Sequence, residues 1–193
     1  LLTDATDNDE VWITTGGNTG TIGGISETAG NAYNKRAWFE ARFKVQNVAD
    51  SQKNIYVGMS EEARAVGDTI TDSGALGDFD FVGFNQPEAD GNGLDAVWQK
   101  ATAALQVKIA DYATLVADTY VNMGFFYDPL ADVANRLQFF KDNVVSATYG
   151  TNANLTASTF PGGEELAMLA GLKNGTGAAH KLQLDWWAYA QEI

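Results

Sequence analysis

The amino-acid sequence predicts an all-β fold, a two-sheet antiparallel jelly-roll sandwich that takes residues 1–193 as a single domain. Three observations carry this. Stretches of alternating apolar and polar residues recur at roughly 8- to 12-residue spacing with turn signals between them, the pattern of a sandwich or barrel. The chain holds 20 Gly against 3 Pro, which suits strands joined by glycine turns better than a linker or stalk. Helical signals are confined to two segments, 60–65 (opened by a Ser60 cap) and 114–117, each too short to form a layer.

Taken in order, the clearest strand runs over 36–48, where Phe39, Ala41, Phe43 and Val45 alternate with Glu40, Arg42, Lys44 and Gln46 to give one buried and one wet face. The segment 53–60 follows with Ile55 and Val57 inward and Gly58 breaking the row. Strands over 79–85 and 94–100 flank a polar turn at 88–93, and 102–109 continues the meander. Over 119–128, Val121, Met123, Phe125 and Tyr127 face one way. Residues 135–145 read as a hairpin whose bend, Lys141-Asp142-Asn143, tolerates left-handed backbone. Strands over 166–172 and 181–190 close the sheets; in the last, Leu182, Leu184 and Trp186 point opposite to Gln183, Asp185 and Trp187. The chain opens at Leu1 inside what reads as a strand, without Met or a signal sequence, so upstream residues are expected to be missing.

Charge narrows the partners. Lys and Arg total 12 against 25 Asp and Glu, for a formal net charge of −13. Nucleic-acid binders gain affinity by replacing phosphate counterions with basic side chains, and anionic membrane surfaces repel such a chain, so neither partner is expected. The absence of Cys excludes a disulfide framework and thiolate metal sites.

The tests for catalysis come out incomplete. The single His180 lies in a Gly/Ala-rich turn, where an exposed histidine is expected, and no Gly-x-Ser-x-Gly elbow accompanies it. Jelly-roll glycosidases carry Glu-x-Asp-x-x-Glu on one strand face, and the nearest segment here is Asp78-Phe79-Asp80-Phe81-Val82-Gly83, which places glycine at the third acid position. No catalytic residue is therefore assigned, and a non-enzymatic protein is expected. The same segment loosely mimics a legume-lectin metal strand, making Asp78, Asp80, Asn85 and Asp90 the calcium candidates, although ordinary turn chemistry accounts for the same residues. No cofactor is expected otherwise; Gly16-Gly17 and Gly23-Gly24 lack the Lys and Ser/Thr of a phosphate loop. Trp98, Trp186, Trp187 and Tyr189 could form a sugar-stacking platform, Trp98, Trp187 and Tyr189 being the leading candidates, but packing in the core or at a subunit interface is the favoured role.

Read together, Thr6-Asp7-Asn8-Asp9-Glu10, Ala37-Trp38-Phe39-Glu40-Ala41-Arg42-Phe43-Lys44-Val45, Ile55-Tyr56-Val57-Gly58-Met59-Ser60-Glu61, Asp80-Phe81-Val82-Gly83-Phe84, Leu137-Gln138-Phe139-Phe140-Lys141-Asp142-Asn143-Val144-Val145, Leu169-Ala170-Gly171-Leu172-Lys173-Asn174 and Leu182-Gln183-Leu184-Asp185-Trp186-Trp187 resemble tailed-bacteriophage virion proteins with a concanavalin A-like jelly roll. The resemblance implies a capsid decoration or cement protein on the outer capsid surface. Its implied partners are the major capsid protein and its own copies, a trimer being the plausible homo-oligomer. The alternative reading of the residues is a carbohydrate-binding, lectin-like module of a phage fibre or bacterial surface protein, with surface glycans as partners.

Overall fold

The computed structural model describes residues 1–15, 22–48, 53–61, 69–88, 90–175 and 177–193. The alternation over 36–48 becomes β2 (Ala37–Val45), whose Phe39, Ala41, Phe43 and Val45 are fully buried. Around it lie β1 (Glu10–Thr14), β3 (Lys53–Glu61), β4 (Phe81–Gln86), β5 (Gly93–Gln99), β6 (Gln106–Thr114), β7 (Val121–Tyr127), β8 (Leu137–Lys141), β9 (Val144–Gly150), β10 (Leu166–Asn174) and β11 (Leu182–Gln191). They form two antiparallel sheets, one in the order β1-β10-β3-β4-β5-β6 and the other β11-β2-β7-β8-β9. The core between the sheets includes Phe39, Phe43, Phe84, Phe125, Phe139 and Leu172, with Phe39 stacked on Phe125 at 5.2 Å between ring centroids.

The six-stranded sheet is covered on both faces. Its outer face carries a second apolar cluster of Tyr56, Phe81, Val97 and Leu169, roofed by Ile70, Leu76 and Phe79 from the connection that leads into β4. That explains why β3, β4, β5 and β10 are buried at nearly every position rather than at alternate ones. Three glycines make the arrangement fit. Gly58 and Gly83 face each other across β3 and β4, and a Cβ on either would strike the backbone opposite and the Phe81 ring; one on Gly171 would strike the Tyr56 ring. Gly83 is thus a close-packing requirement, which is the physical reason no third acid occupies that position.

Several expectations are corrected. Residues 114–117 form no helix; the only helix among the described residues is α1 (Asn152–Leu155), held by a Thr151–Asn154 capping box. The other expected turn, 60–65, continues β3 through Glu61 and otherwise lies outside the described residues, as does Gly16-Gly17. β6 begins at Gln106, later than expected, because 100–103 is a turn. Leu2 makes only an isolated bridge to Lys181 rather than lying within a strand. Glu40, assigned to the wet face of β2, is 8% exposed. In β11 a register shift between Leu184 and Trp186 inverts the phase: Trp187 and Tyr189 pack with Leu184 against the core, while Trp186 turns outward at 39% exposure. His180 is 1% exposed rather than lying in an open turn, its backbone N–H donating to Thr3 Oγ1 at 2.9 Å and its carbonyl accepting from the Thr3 N–H at 3.1 Å.

Candidate functional site

A concavity lies on the outer face of the six-stranded sheet, beside the second apolar cluster. It is a cleft of about 860 Å³ between the 71–78 connection, Asn85 to Glu88 at the end of β4, and Gln99 to Leu105 after β5. That volume falls within the roughly 300–1,000 Å³ of small-molecule sites. Most of its lining surface is apolar, and polar side chains interrupt it: Thr71, Asp72, Ser73, Asp78 and Glu88, with Thr102 opposite.

The cleft wall is built by side chains that staple the connection to the sheet. Glu10 on β1 accepts from Thr69 N–H at 3.0 Å through Oε2, and its other oxygen accepts from the Tyr56 hydroxyl at 2.8 Å. From β3, Asn54 donates to Gly74 O at 2.6 Å, and from β5 the Gln99 amide donates to Gly77 O at 2.6 Å. Lys173 on β10, 2% exposed, donates to Ile70 O at 2.7 Å and pairs with Asp72 at 3.0 Å. With polar staples above and the apolar cluster beneath, the wall is fixed without ligand.

Among the described residues Asp78, Asp80 and Asp90 do not come together as one carboxylate group. Asp78 and Asp80 do not share a strand face; both precede β4 and cap the turn at 100–103, Asp80 accepting from Ala101 N–H at 2.8 Å and Asp78 from Thr102 N–H. Asn85 is 2% exposed and spends both amide protons on Asn54 Oδ1 and Ile55 O, each at 2.9 Å. Asp90 joins Asp95, which lies opposite Asn85 in the β4–β5 register, and Asp111, two residues not singled out from sequence; one donor atom from each of the three lies within 4.8 Å of the others. A β-bulge creates this grouping. Between the pairs Leu94–Ala113 and Ala96–Ile109 the strand β6 carries extra residues, Asp111 takes φ 49°, and its N–H donates to Asp95 Oδ1 at 2.7 Å. Burial, partly offset by that hydrogen bond and reinforced by the neighbouring Asp90 and Asp111 charges, raises the Asp95 carboxyl above the usual carboxylate range. Three carboxylates of this kind are a donor set for a hard cation.

The aromatic candidates do not form a platform. Trp98 is 3% exposed and meets Phe160 edge-on at 5.4 Å, so it is core. Trp187 and Tyr189 pack against the core from the other sheet, and the Tyr189 hydroxyl, pushed up by burial, points to Gly24 O at 3.5 Å. The outward aromatic on that strand is Trp186, displaced by the bulge.

No family model and no curated sequence matches the chain. Its fold does match solved structures. The Emp46p carbohydrate recognition domain in its potassium-bound form is similar over 100% of this chain and 82% of that one, with TM-score 0.62 and 11% identity. The endo-β-1,4-glucuronan lyase of the fungus Trichoderma reesei covers 98% of this chain and 77% of its own at TM-score 0.55 and 10% identity. For the endo-1,3-β-glucanase of Streptomyces sioyaensis the figures are 95% and 68%, TM-score 0.54 and 13% identity. The chain therefore has the concanavalin A-like jelly-roll sandwich of lectin and glucanase domains. The expectation of a non-enzymatic protein is corrected: it rested on an incomplete acid set at one segment, and the same architecture carries a lyase and a glucanase. None of these neighbours is described as a virion protein, and the capsid role, with its capsid partner and trimer, gains no support from them.

Proposed function

We propose that this chain is a carbohydrate-binding domain and that glycans bind in the cleft on the outer face of the six-stranded sheet. The observation that carries the reading is the cleft itself, a preformed concavity whose walls present hydroxyl and carboxylate groups from three separate segments. Converging polar groups of this kind, fixed by the fold, match the many hydroxyls of a sugar and cost little ordering on binding. The carbohydrate recognition domain of Emp46p, which shares the fold, supports the same reading.

A glycan array with the purified chain is the test. Ala104, exposed on the cleft rim, offers a plug: Ala104→Trp should abolish array binding with the melting temperature retained. Trp186→Ala, on the other sheet, should leave binding unchanged. Binding that survives the plug and disappears with Trp186→Ala would move the site to the opposite sheet. No array signal for the wild-type chain would remove the glycan reading. Running the array with calcium and with chelator adds the metal arm. Loss under chelation assigns a cation to Asp90, Asp95 and Asp111, and equal binding under both conditions removes it from recognition.

A further inference from the structure

We infer that the cleft selects glycans bearing free amino groups and turns away polyuronates, an inference that rests on the reading of the cleft as a glycan site. Among the described residues its lining includes three carboxylates, Asp72, Asp78 and Glu88, and no Lys, Arg or His. Two of the three are used by the fold. Asp72 is paired with Lys173, and Asp78 accepts from the Thr102 N–H. Glu88 is different: it accepts no hydrogen bond from the described residues, yet it is not a loose surface acid. Its carboxylate lies against the backbone at Gly74 and Gly175, and a Cβ at either position would overlap it. Gly74 also takes φ 77°, a conformation that favours glycine, so the wall is shaped to bring this carboxylate close.

An acceptor held in place and unused by the described residues is a receptor for donors. A hydrogen bond between a carboxylate and an ammonium is roughly twice as strong as a neutral one, so a primary amine on the sugar gains most at Glu88. The rest of the lining reinforces the choice. A uronate would bring its own carboxylate into a cleft whose described lining includes no Lys, Arg or His, the adjacent Lys173 already being paired with Asp72, within a chain of formal net charge −13. Like charges brought together with partial loss of water are a repulsive selection element that acts against anionic ligands.

The experiment compares three oligosaccharides of equal length by calorimetry on the intact chain: β-1,4-linked glucosamine, its N-acetylated counterpart, and a β-1,4-linked uronate. The glucosamine oligomer should bind about tenfold tighter than the acetylated one, and the uronate should not bind, a preference of the size that one charge-assisted contact supplies. Glu88→Gln, which keeps the shape of the side chain, should bring the two glucosamine forms to within about twofold. Asp132→Asn, at an exposed carboxylate between the strands β7 and β8, should leave the tenfold gap. Equal or tighter binding of the acetylated or uronate oligomer overturns the charge selection while leaving the glycan reading intact. A glucosamine preference that ignores Glu88→Gln also overturns it, since it would then reflect attraction of a polycation to the whole molecule. If none of the three binds and the array is blank, both readings fall together.

Discussion

His180 shows how a single residue departs from its local sequence context. Its Gly/Ala-rich neighbourhood suggests an open turn, yet the ring is buried and both ring nitrogens lack hydrogen-bond partners among the described residues. Burial, with the Lys53 charge as a second cause, lowers its pKa below 6.5. The unfolded chain therefore binds a proton that the folded chain resists. Stability from this residue is complete above pH 6.5 and declines as pH falls through the lowered value. Urea titrations at pH 7.5 and 5 should show wild type losing more stability than His180→Gln on acidification; parallel losses would show that the histidine does not titrate as described. Glu40 is the converse case: buried on the outer face of β2, its carboxyl is raised by desolvation. Neither burial is legible from alternation, because period two assigns a face and not the depth of cover over it.

At the level of elements, legibility followed how many faces a strand buries. β2 and β7 cover one sheet of the core and show the expected alternation, so their apolar sets were readable from sequence. The hairpin of β8 and β9 was readable for another reason: Asp142 and Asn143 take φ 48° and 65°, the left-handed backbone that the two-residue turn demands. Replacing Asn143 with Gly should raise stability by about 0.5–1 kcal/mol, since glycine meets no steric cost there. The bulge in β11 was not legible, because nothing in Leu184-Asp185-Trp186 marks the skipped pairing that exchanges Trp186 and Trp187. The Asp90–Asp95–Asp111 grouping was missed for the same reason, depending as it does on a second bulge in β6. The cleft was hidden because its walls come from three segments brought together only by the sheet. A signal was present in Gly58, Gly83 and Gly171, which recur where β-strand runs ought to carry side chains. Gly83→Ala should cost about 1–3 kcal/mol in chemical denaturation, as overpacking against Gly58 and the Phe81 ring requires. A neutral result would mean that β3 and β4 can spread at no cost.

For the molecule as a whole, charge and cover are the governing quantities. At −13 the folded chain repels itself, and screening relieves that repulsion. Raising NaCl from about 0.01 M to about 0.15 M shortens the screening length from about 30 Å to about 8 Å. The melting temperature should rise by roughly 2–4 °C, the effect of about 1 kcal/mol in a chain of this size; a fall would mean that the attractive pairs at Arg36, Arg42 and Lys100 outweigh the repulsion. Cover matters in a different way. The connection that walls the cleft also roofs the second apolar cluster, so it cannot swing aside without exposing Ile70, Leu76 and Phe79. Such a wall opens only by partial unfolding, and the amides of residues 69–79 should exchange their hydrogens nearly as slowly as those of β4, far more slowly than a surface loop. A glycan entering the proposed site would then meet a surface already in its final form, with association limited by diffusion and orientation rather than by a gating motion.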